Sequence, residues 1–201
     1  MTVTQGGSRG RICVFMGSRT GVRPEYERAA REFGRMLVER NYELVYGGGN
    51  VGLMAVIADT VLQYHGHVIG VIPEAFAEKE VAHRGLPDLR VVQSMHERKA
   101  LMAELSDGFV GLPGGIGTME EFFEVLSWAQ IEIHDKPCGL LDVCGYYRPI
   151  VQFMDSAVTE GFLKPVHRSL LIVEEKPQAL LDRFESVLAA VSGRTFDRRT
   201  T

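Results

Sequence analysis

The sequence lacks several features that mark particular protein classes. Its three cysteines, Cys13, Cys138 and Cys144, are odd in number and have no C-x-x-C spacing, which favours reduced thiols over a disulfide framework. No apolar run approaches the roughly 18 residues that a membrane span needs. The N-terminal "MTVTQGGSRGR" lacks the apolar core of a signal peptide, so we expect a cytoplasmic protein without membrane contact.

Basic clusters and metal-ligand patterns are also scarce. The formal net charge of −4 gives no general attraction to a polyanion, and no Lys/Arg cluster stands out. None of the six histidines has the companion Cys or Asp spacing of a metal site. We therefore expect no nucleic-acid partner, no metal and no cofactor.

Apolar, β-branched runs alternate with stretches of helical period along almost the whole chain. "RICVFMG", "YELVYGGG", "HVIGVIP", "LRVVQS", "GFVGLP", "CGLLDV" and "LLIVEE" have strand character, and helical patterns separate most of them. This alternation predicts an α/β fold, a Rossmann-like doubly wound parallel sheet with helices on both faces. We expect a single domain over residues 11–192, with a disordered lead-in (1–10) and a disordered tail (193–201).

Glycine-rich turns follow three of the predicted strands. "MGSRTG" follows the first, "YGGGNVG" the second, and "LPGGIGT" the strand "GFVGLP". In a doubly wound sheet, ligands bind at the carboxyl edge, where strands end and helices begin. We therefore expect a site assembled there from segments far apart in sequence.

The turn "YGGGNVG" allows two interpretations. Gly47, Gly49 and Gly52 have G-x-G-x-x-G spacing, and Glu74 follows at a suitable distance, which is typical of a dinucleotide site and of an NAD-dependent oxidoreductase. The same glycines also fit a tight strand-to-helix turn that needs positive φ. The spacing alone leaves both open.

The segment "PGGIGTMEE" combines glycines with carboxylates. It lacks the Lys-Ser/Thr ending of a P-loop, which argues against a nucleoside triphosphate. Amides of Gly114, Gly115, Gly117 and Thr118 at a helix N-terminus could still hold one phosphate group. Thr118 and Glu121 also fit a capping box, with Thr118 as N-cap, and the two interpretations are compatible.

The segment "MHERK" places two cations near the start of another helix. Arg98 and Lys99 oppose the helix dipole there, so we expect an anionic group to compensate them. A solvated basic face is the alternative.

Taken together, "MHERK" and "PGGIGTMEE" resemble the paired MHxRK and PGGxGTxxE motifs of the Lonely guy family of cytokinin-activating enzymes. The similarity extends from "VFMGSRTG" through "VYGGGNVGLM" and "VIGVIPEAF" to "EVLSWAQIEIHDKPCGLL". It implies a homodimer that hydrolyses the N-glycosidic bond of N6-modified adenosine 5′-monophosphates to a free cytokinin base and ribose 5-phosphate. Some relatives carry a lysine decarboxylase label, but no feature singles out a lysine for the Schiff base that such chemistry needs.

The resemblance assigns the catalytic pair to Arg98 and Glu121. It places substrate contacts at Glu80, Arg98, Lys99, Gly114, Gly115, Ile116, Gly117, Thr118, Met119, Glu120, Glu121 and Ser127, with Ser18, Arg19, Gly47 and Gly48 as weaker candidates. The amides would hold the 5′-phosphate while Glu121 faces the ribose. Whether Arg98 binds phosphate, orients Glu121 or assists the departing base stays open, as does a nucleotide-binding module without chemistry.

The helix predicted after "PGGIGT" is unusually apolar. It has more apolar side chains than one buried stripe requires, which is consistent with the homodimer. These side chains are Phe122, Phe123, Val125, Leu126, Trp128 and Ile131.

Overall fold

A computed structural model of the chain describes residues 8–77 and 82–197, with side chains up to residue 191. Its strands are β1 (Gly10–Phe15), β2 (Tyr42–Tyr46), β3 (Val68–Pro73), β4 (Asp88–Val92), β5 (Gly108–Gly111), β6 (Cys138–Leu141) and β7 (Leu171–Glu174). In the described ranges they form one seven-stranded parallel sheet in the order β4-β3-β2-β1-β5-β6-β7. The predicted α/β doubly wound fold is confirmed.

Helices cover both faces of this sheet. They are α1 (Pro24–Glu39), α2 (Gly52–Gln63), α3 (Glu74–Ala77), α4 (Met95–Leu105), α5 (Ile116–Gln130), α6 (Arg148–Thr159), α7 (Pro165–Arg168) and α8 (Pro177–Asp197), with a 3₁₀ turn at Val143–Gly145. The buried side chains form two clusters. Helices α1, α2 and α8 contribute to one cluster, and α4, α5 and α6 contribute to the other. None of the helices in the described residues is long and apolar enough to cross a membrane.

The central strand β1 shows why the pattern folds this way. Ile12 and Val14 belong to one buried cluster, whereas Cys13 and Phe15 belong to the other. Successive side chains of a strand point to opposite faces, so a continuously apolar strand serves two cores at once.

The carboxyl ends of β1 and β5 meet at the point where the strand order reverses. Phe15 pairs with Gly111 at the last register position of these neighbouring strands. Beyond it, the Gly17 N–H donates to the Pro113 carbonyl (3.1 Å), and the Leu53 N–H donates to the Gly17 carbonyl (3.1 Å). Hydrogen bonds therefore tie the three glycine turns together at the topological switch point, where doubly wound folds bind ligands.

The C-terminal boundary differs from the prediction. The final helix continues to Asp197, five residues beyond the predicted domain boundary at residue 192. Gly193 lies inside this helix, and one glycine inside a helix costs only about 1 kcal/mol, so the helix can continue through it. Residues 1–7 and 198–201 lie outside the described residues.

Candidate active site

The helix α5 begins before the predicted capping box. Gly115 is its N-cap, with extended backbone (φ −99°, ψ −152°) and no side-chain cap, and the first helical residue is Ile116. Thr118 is therefore the third residue of the helix and Glu121 lies in its second turn. The capping-box prediction is wrong, because the glycine turn reaches helical geometry earlier than the threonine suggested.

The first turn of α5 offers free backbone donors. The Met119 N–H donates to the Gly115 carbonyl (3.2 Å), which closes the first helical turn. Earlier N–H groups have no intrahelical acceptor and carry the positive end of the helix dipole. A Cβ added at Gly115 or Gly117 would meet nothing within 4 Å, so the space beside these amides is open. This helix end can bind an anion.

The helix α4, which carries Arg98, has the capping box that α5 lacks. The Glu97 N–H donates to Ser94 Oγ (3.1 Å), and the Gln93 N–H donates to Glu97 Oε2 (2.8 Å). The S-x-x-E spacing is the sequence signal for this arrangement. It fixes the first turn of α4 immediately before Arg98.

Arg98 and Glu121 form an ion pair at the carboxyl edge. Arg98 Nη1 lies 3.0 Å from Glu121 Oε1, and the two side chains are 14% and 12% exposed. Arg98 Nε donates to the Val71 carbonyl in the second half of β3 (3.1 Å). A Cβ at Gly47 would overlap the guanidinium, so glycine there makes room for it. Contacts from three parts of the fold thus hold the guanidinium beside the carboxylate.

Burial dominates the electrostatics of Glu121. Desolvation raises the pKa of its carboxyl above the ordinary value, and the neighbouring Arg98 guanidinium only partly opposes this. A partly buried carboxyl with a raised pKa and a fixed charge partner is typical of groups that transfer protons.

Lys99 is held by two carboxylates of α5. Its Nζ lies 2.6 Å from Glu120 Oε1 and 3.0 Å from Glu124 Oε1. The hydrogen bond to Glu120 is the main cause that raises the pKa of Lys99 above its usual value. The side chain is therefore a charged ammonium that joins α4 to α5, whereas Schiff-base chemistry needs a neutral amine. Its substrate contact stays a prediction.

The turn after β2 is packed against its own protein. Gly52 has φ +55°, and a Cβ there would overlap the backbone of Ser18 and Arg19. Gly48 has φ +71°, and a Cβ there would lie 3.1 Å from Cβ of Ile72. Moreover, β2 lies one strand away from the switch point between β1 and β5. The geometry favours the tight-turn interpretation over a dinucleotide site.

Two cavities flank the segment Gly114–Gly115. One, of about 340 Å³, lies between this segment and the turn after β1, and its wall includes Tyr26 and Tyr146. The other, of about 620 Å³, is mostly apolar; besides Gly114 and Gly115 it is lined by Ile116, Met119, Glu120, Phe123, Tyr146, Tyr147, Pro149 and Ile150. The Arg98–Glu121 pair lines neither cavity, although both side chains keep some exposure.

The chain is similar to named enzymes over most of its length. Residues 54–184 match a family model described as "Possible lysine decarboxylase". A cytokinin riboside 5'-monophosphate phosphoribohydrolase of Arabidopsis thaliana is 47% identical over 87% of this chain and 82% of the relative. Two probable enzymes of the same name from Oryza sativa subsp. japonica are 48% and 51% identical, each over 87% of this chain, and over 72% and 77% of their own lengths. The chain belongs to the Lonely guy family.

Solved structures with low sequence identity to this chain share its fold. A molybdenum cofactor carrier protein of Chlamydomonas reinhardtii superposes with a TM-score of 0.68 at 21% identity, covering 89% of this chain and 98% of that one. A molybdenum cofactor binding protein of Rippkaea orientalis gives 0.67 at 18% identity, covering 90% and 99%. At such identities the likeness concerns the fold alone.

One of the predicted Lonely guy positions, Ser127, lies apart from the others. Glu80 falls outside the described residues. Ser127 is exposed on α5, about 16 Å along the helix axis from Ile116 at a rise of about 1.5 Å per residue. The structure brings together Arg98 and Glu121 but does not bring Ser127 to the open amides of the same chain.

Tyrosines of the segment "GYY" bond to the glycine loop beside this candidate site and were not among the predicted residues. The Tyr146 hydroxyl donates to the Gly114 carbonyl and the Tyr147 hydroxyl to the Leu112 carbonyl, both at 2.5 Å. These partners are 32 and 35 residues apart in sequence. No local pattern indicates such contacts, because they depend on how β5 and β6 pair.

Proposed function

We propose that this chain is a phosphoribohydrolase that cleaves the N-glycosidic bond of N6-modified adenosine 5′-monophosphates, and of AMP, to free base and ribose 5-phosphate. The observation that supports this most strongly is the Arg98–Glu121 ion pair, which has a nitrogen–oxygen distance of 3.0 Å and is largely buried. It lies beside a helix N-terminus with open amides. Relatives up to 51% identical bear the name of this activity.

The N-terminus of α5 would hold the 5′-phosphate. The N–H groups around Gly115 and Gly117 supply donors, and the dipole of a 15-residue helix favours the negative charge. Its first turn has no acidic residue to repel a phosphate. An anchored phosphate would fix the ribose over the second turn of α5, where Glu121 lies.

Glu121 would act on the reacting carbon. As the bond between C1′ and the base nitrogen breaks, positive charge develops on the ribose, and a fixed carboxylate stabilises that charge. The electrons of the broken bond leave with the base, water forms the new bond from its oxygen to C1′, and the proton that water gives to the carboxylate is then passed on to the nitrogen of the departing base. The raised pKa of Glu121 makes it a better proton acceptor than an ordinary glutamate.

Arg98 would position this carboxylate. One guanidinium nitrogen faces Glu121 and another donates to the Val71 carbonyl, so both ends of the group are engaged within the protein. Among the three roles left open by the sequence, these contacts support orientation of Glu121.

A homodimer is part of the proposal. Phe122 and its neighbours on α5 are buried within the chain, but Ile116, Ile131 and Ile133 are 91%, 64% and 63% exposed. Ser127 lies too far along α5 to reach the open amides of its own chain, so a second copy would have to supply it. We expect a dimer in sedimentation at micromolar concentration; a monomer would refute this part of the proposal.

Product analysis tests the function and its alternatives. The purified protein is incubated with AMP, N6-isopentenyl-AMP and NAD, and the products are separated by chromatography. Free base from the monophosphates supports the hydrolase. Tight binding of AMP without base release would favour a nucleotide-binding module, and tight NAD binding would favour the oxidoreductase.

A further inference from the structure

Each of three successive carbonyls in the glycine loop has a donor. The Leu112 carbonyl accepts from the Tyr147 hydroxyl (2.5 Å), the Pro113 carbonyl from the Gly17 N–H (3.1 Å), and the Gly114 carbonyl from the Tyr146 hydroxyl (2.5 Å). Two of the donors are phenols from one short turn after β6. The orientation of each peptide in this loop is thereby fixed.

A fixed carbonyl also fixes the amide that follows it. In a planar trans peptide, the C=O and the next N–H point in opposite directions. The bond to the Pro113 carbonyl therefore aims the Gly114 N–H, and the bond to the Gly114 carbonyl aims the Gly115 N–H. The Leu112–Pro113 peptide has no N–H to aim, because proline lacks one. Of the two phenols, only Tyr146 orients a donor.

The Gly114–Gly115 peptide needs such an external restraint. Glycine on both sides gives it freedom that other residues lack. A Cβ at Gly115 would meet nothing within 4 Å, so no packing holds the outer side of this peptide.

The Tyr146 ring is itself well supported. It packs edge-on against Tyr26 at 5.6 Å and Tyr147 at 5.1 Å between ring centroids. The Tyr147 N–H donates to Oδ1 of the buried Asp142 (2.6 Å), which ties this turn to the end of β6. The ring also lines both cavities beside Gly114 and Gly115. These ring contacts and the hydrogen-bonded turn therefore place the Tyr146 hydroxyl against the Gly114 carbonyl.

We propose that Tyr146 is a positioning residue for recognition of the substrate's 5′-phosphate: its hydroxyl turns the Gly114–Gly115 peptide so that the Gly115 N–H donates to that phosphate. The inference rests on the proposed function and assigns a cause to the preference for phosphorylated substrates that we expect. Tyr146 itself touches the loop carbonyl and not the phosphate.

Paired hydroxyl deletions test this role. Tyr146→Phe should raise the KM for AMP about five- to tenfold, the effect of losing about one hydrogen bond, and leave kcat/KM for adenosine unchanged. Tyr147→Phe is the matched control, since it removes an equally short bond to a carbonyl whose peptide has no N–H. It should lower the melting temperature and leave the ratio of AMP to adenosine turnover as in wild type. An unchanged ratio in Tyr146→Phe would overturn the proposal.

Calorimetry with AMP separates this inference from the proposed function. Tyr146→Phe should raise the Kd for AMP about five- to tenfold, as it raises the KM, whether or not the wild type releases base. If the wild type binds AMP but releases no base, the function fails while the role of Tyr146 stands. Equal AMP affinity in wild type and Tyr146→Phe, or no AMP binding by the wild type, overturns the positioning role.

Discussion

Replacing Glu121 by glutamine removes a charge and little else. The glutamine Oε1 can still accept from Arg98 Nη1, which lies 3.0 Å from the present carboxylate oxygen. Because Glu121 is in the second turn of α5 and caps nothing, no capping hydrogen bond is lost. The variant therefore isolates the negative charge.

The expected loss of turnover follows from the electrostatics. At an effective dielectric of about 20, a carboxylate about 4 Å from a unit positive charge contributes about 4 kcal/mol. The ribose carries only part of a unit charge in the transition state, which lowers this figure. The Arg98 guanidinium, which remains in the variant without its carboxylate partner, disfavours the developing positive charge. We therefore expect a loss of at least about 2.7 kcal/mol, which is about a hundredfold in kcat.

Although turnover should fall in Glu121→Gln, the stability of the folded protein should not. Since the folded protein raises the pKa of Glu121, the native state favours the neutral carboxyl over the carboxylate. Stability from this group is present below the unfolded-state pKa and falls as the pH rises through the raised pKa, so at pH 7 the carboxylate is unfavourable. Glutamine mimics the neutral form, and the melting temperature at pH 7 should equal or exceed that of wild type.

The assay measures base release from AMP by chromatography together with the melting temperature. Glu32→Gln, at an exposed position of α1, is the control and should match wild type in both. Near-normal turnover in Glu121→Gln would refute the catalytic assignment. A large fall in melting temperature with lost turnover would refute the electrostatic reasoning and point to a structural role.

Three further predictions concern the same site. Because Glu121 must be ionised and its pKa is raised, turnover should fall on acidification with a midpoint above the ordinary value of about 4.3, and a midpoint at or below that value in a pH–rate profile would contradict this. AMP should exceed adenosine in kcat/KM by about a hundredfold or more, since phosphate anchoring positions the ribose; equal rates would count against the amide site. Gly47→Ala should displace the Arg98 guanidinium and cut kcat about tenfold or more with little change in melting temperature, and normal turnover would show that Arg98 needs no such space.

The sheet was predictable because the information is local and redundant. Each of the seven predicted strand runs overlaps one of the strands found, since alternation of short apolar runs with helical periods repeats along the chain. Strand order is not local information. The crossover that places β5 beside β1, and so creates the site, depends on packing between distant segments.

The details of the loops were less predictable, for a different reason. Thr118 suggested a cap, but Gly115 adopts the N-cap conformation, which flexible glycine allows without a side-chain signal. The cap of α4 was visible in the spacing of Ser94 and Glu97, yet it was not among the predictions. Tyr146 had no signal, because its role depends on a hydrogen bond across 32 residues.

Product stoichiometry tests the central claim most directly. N6-isopentenyl-AMP is incubated with the enzyme, and free base, ribose 5-phosphate, nucleoside and inorganic phosphate are measured in the same sample. We predict base and ribose 5-phosphate in a one-to-one ratio, because hydrolysis at C1′ leaves the phosphate ester intact. Nucleoside with inorganic phosphate, or no release of base, would contradict the assignment of this chain as a phosphoribohydrolase.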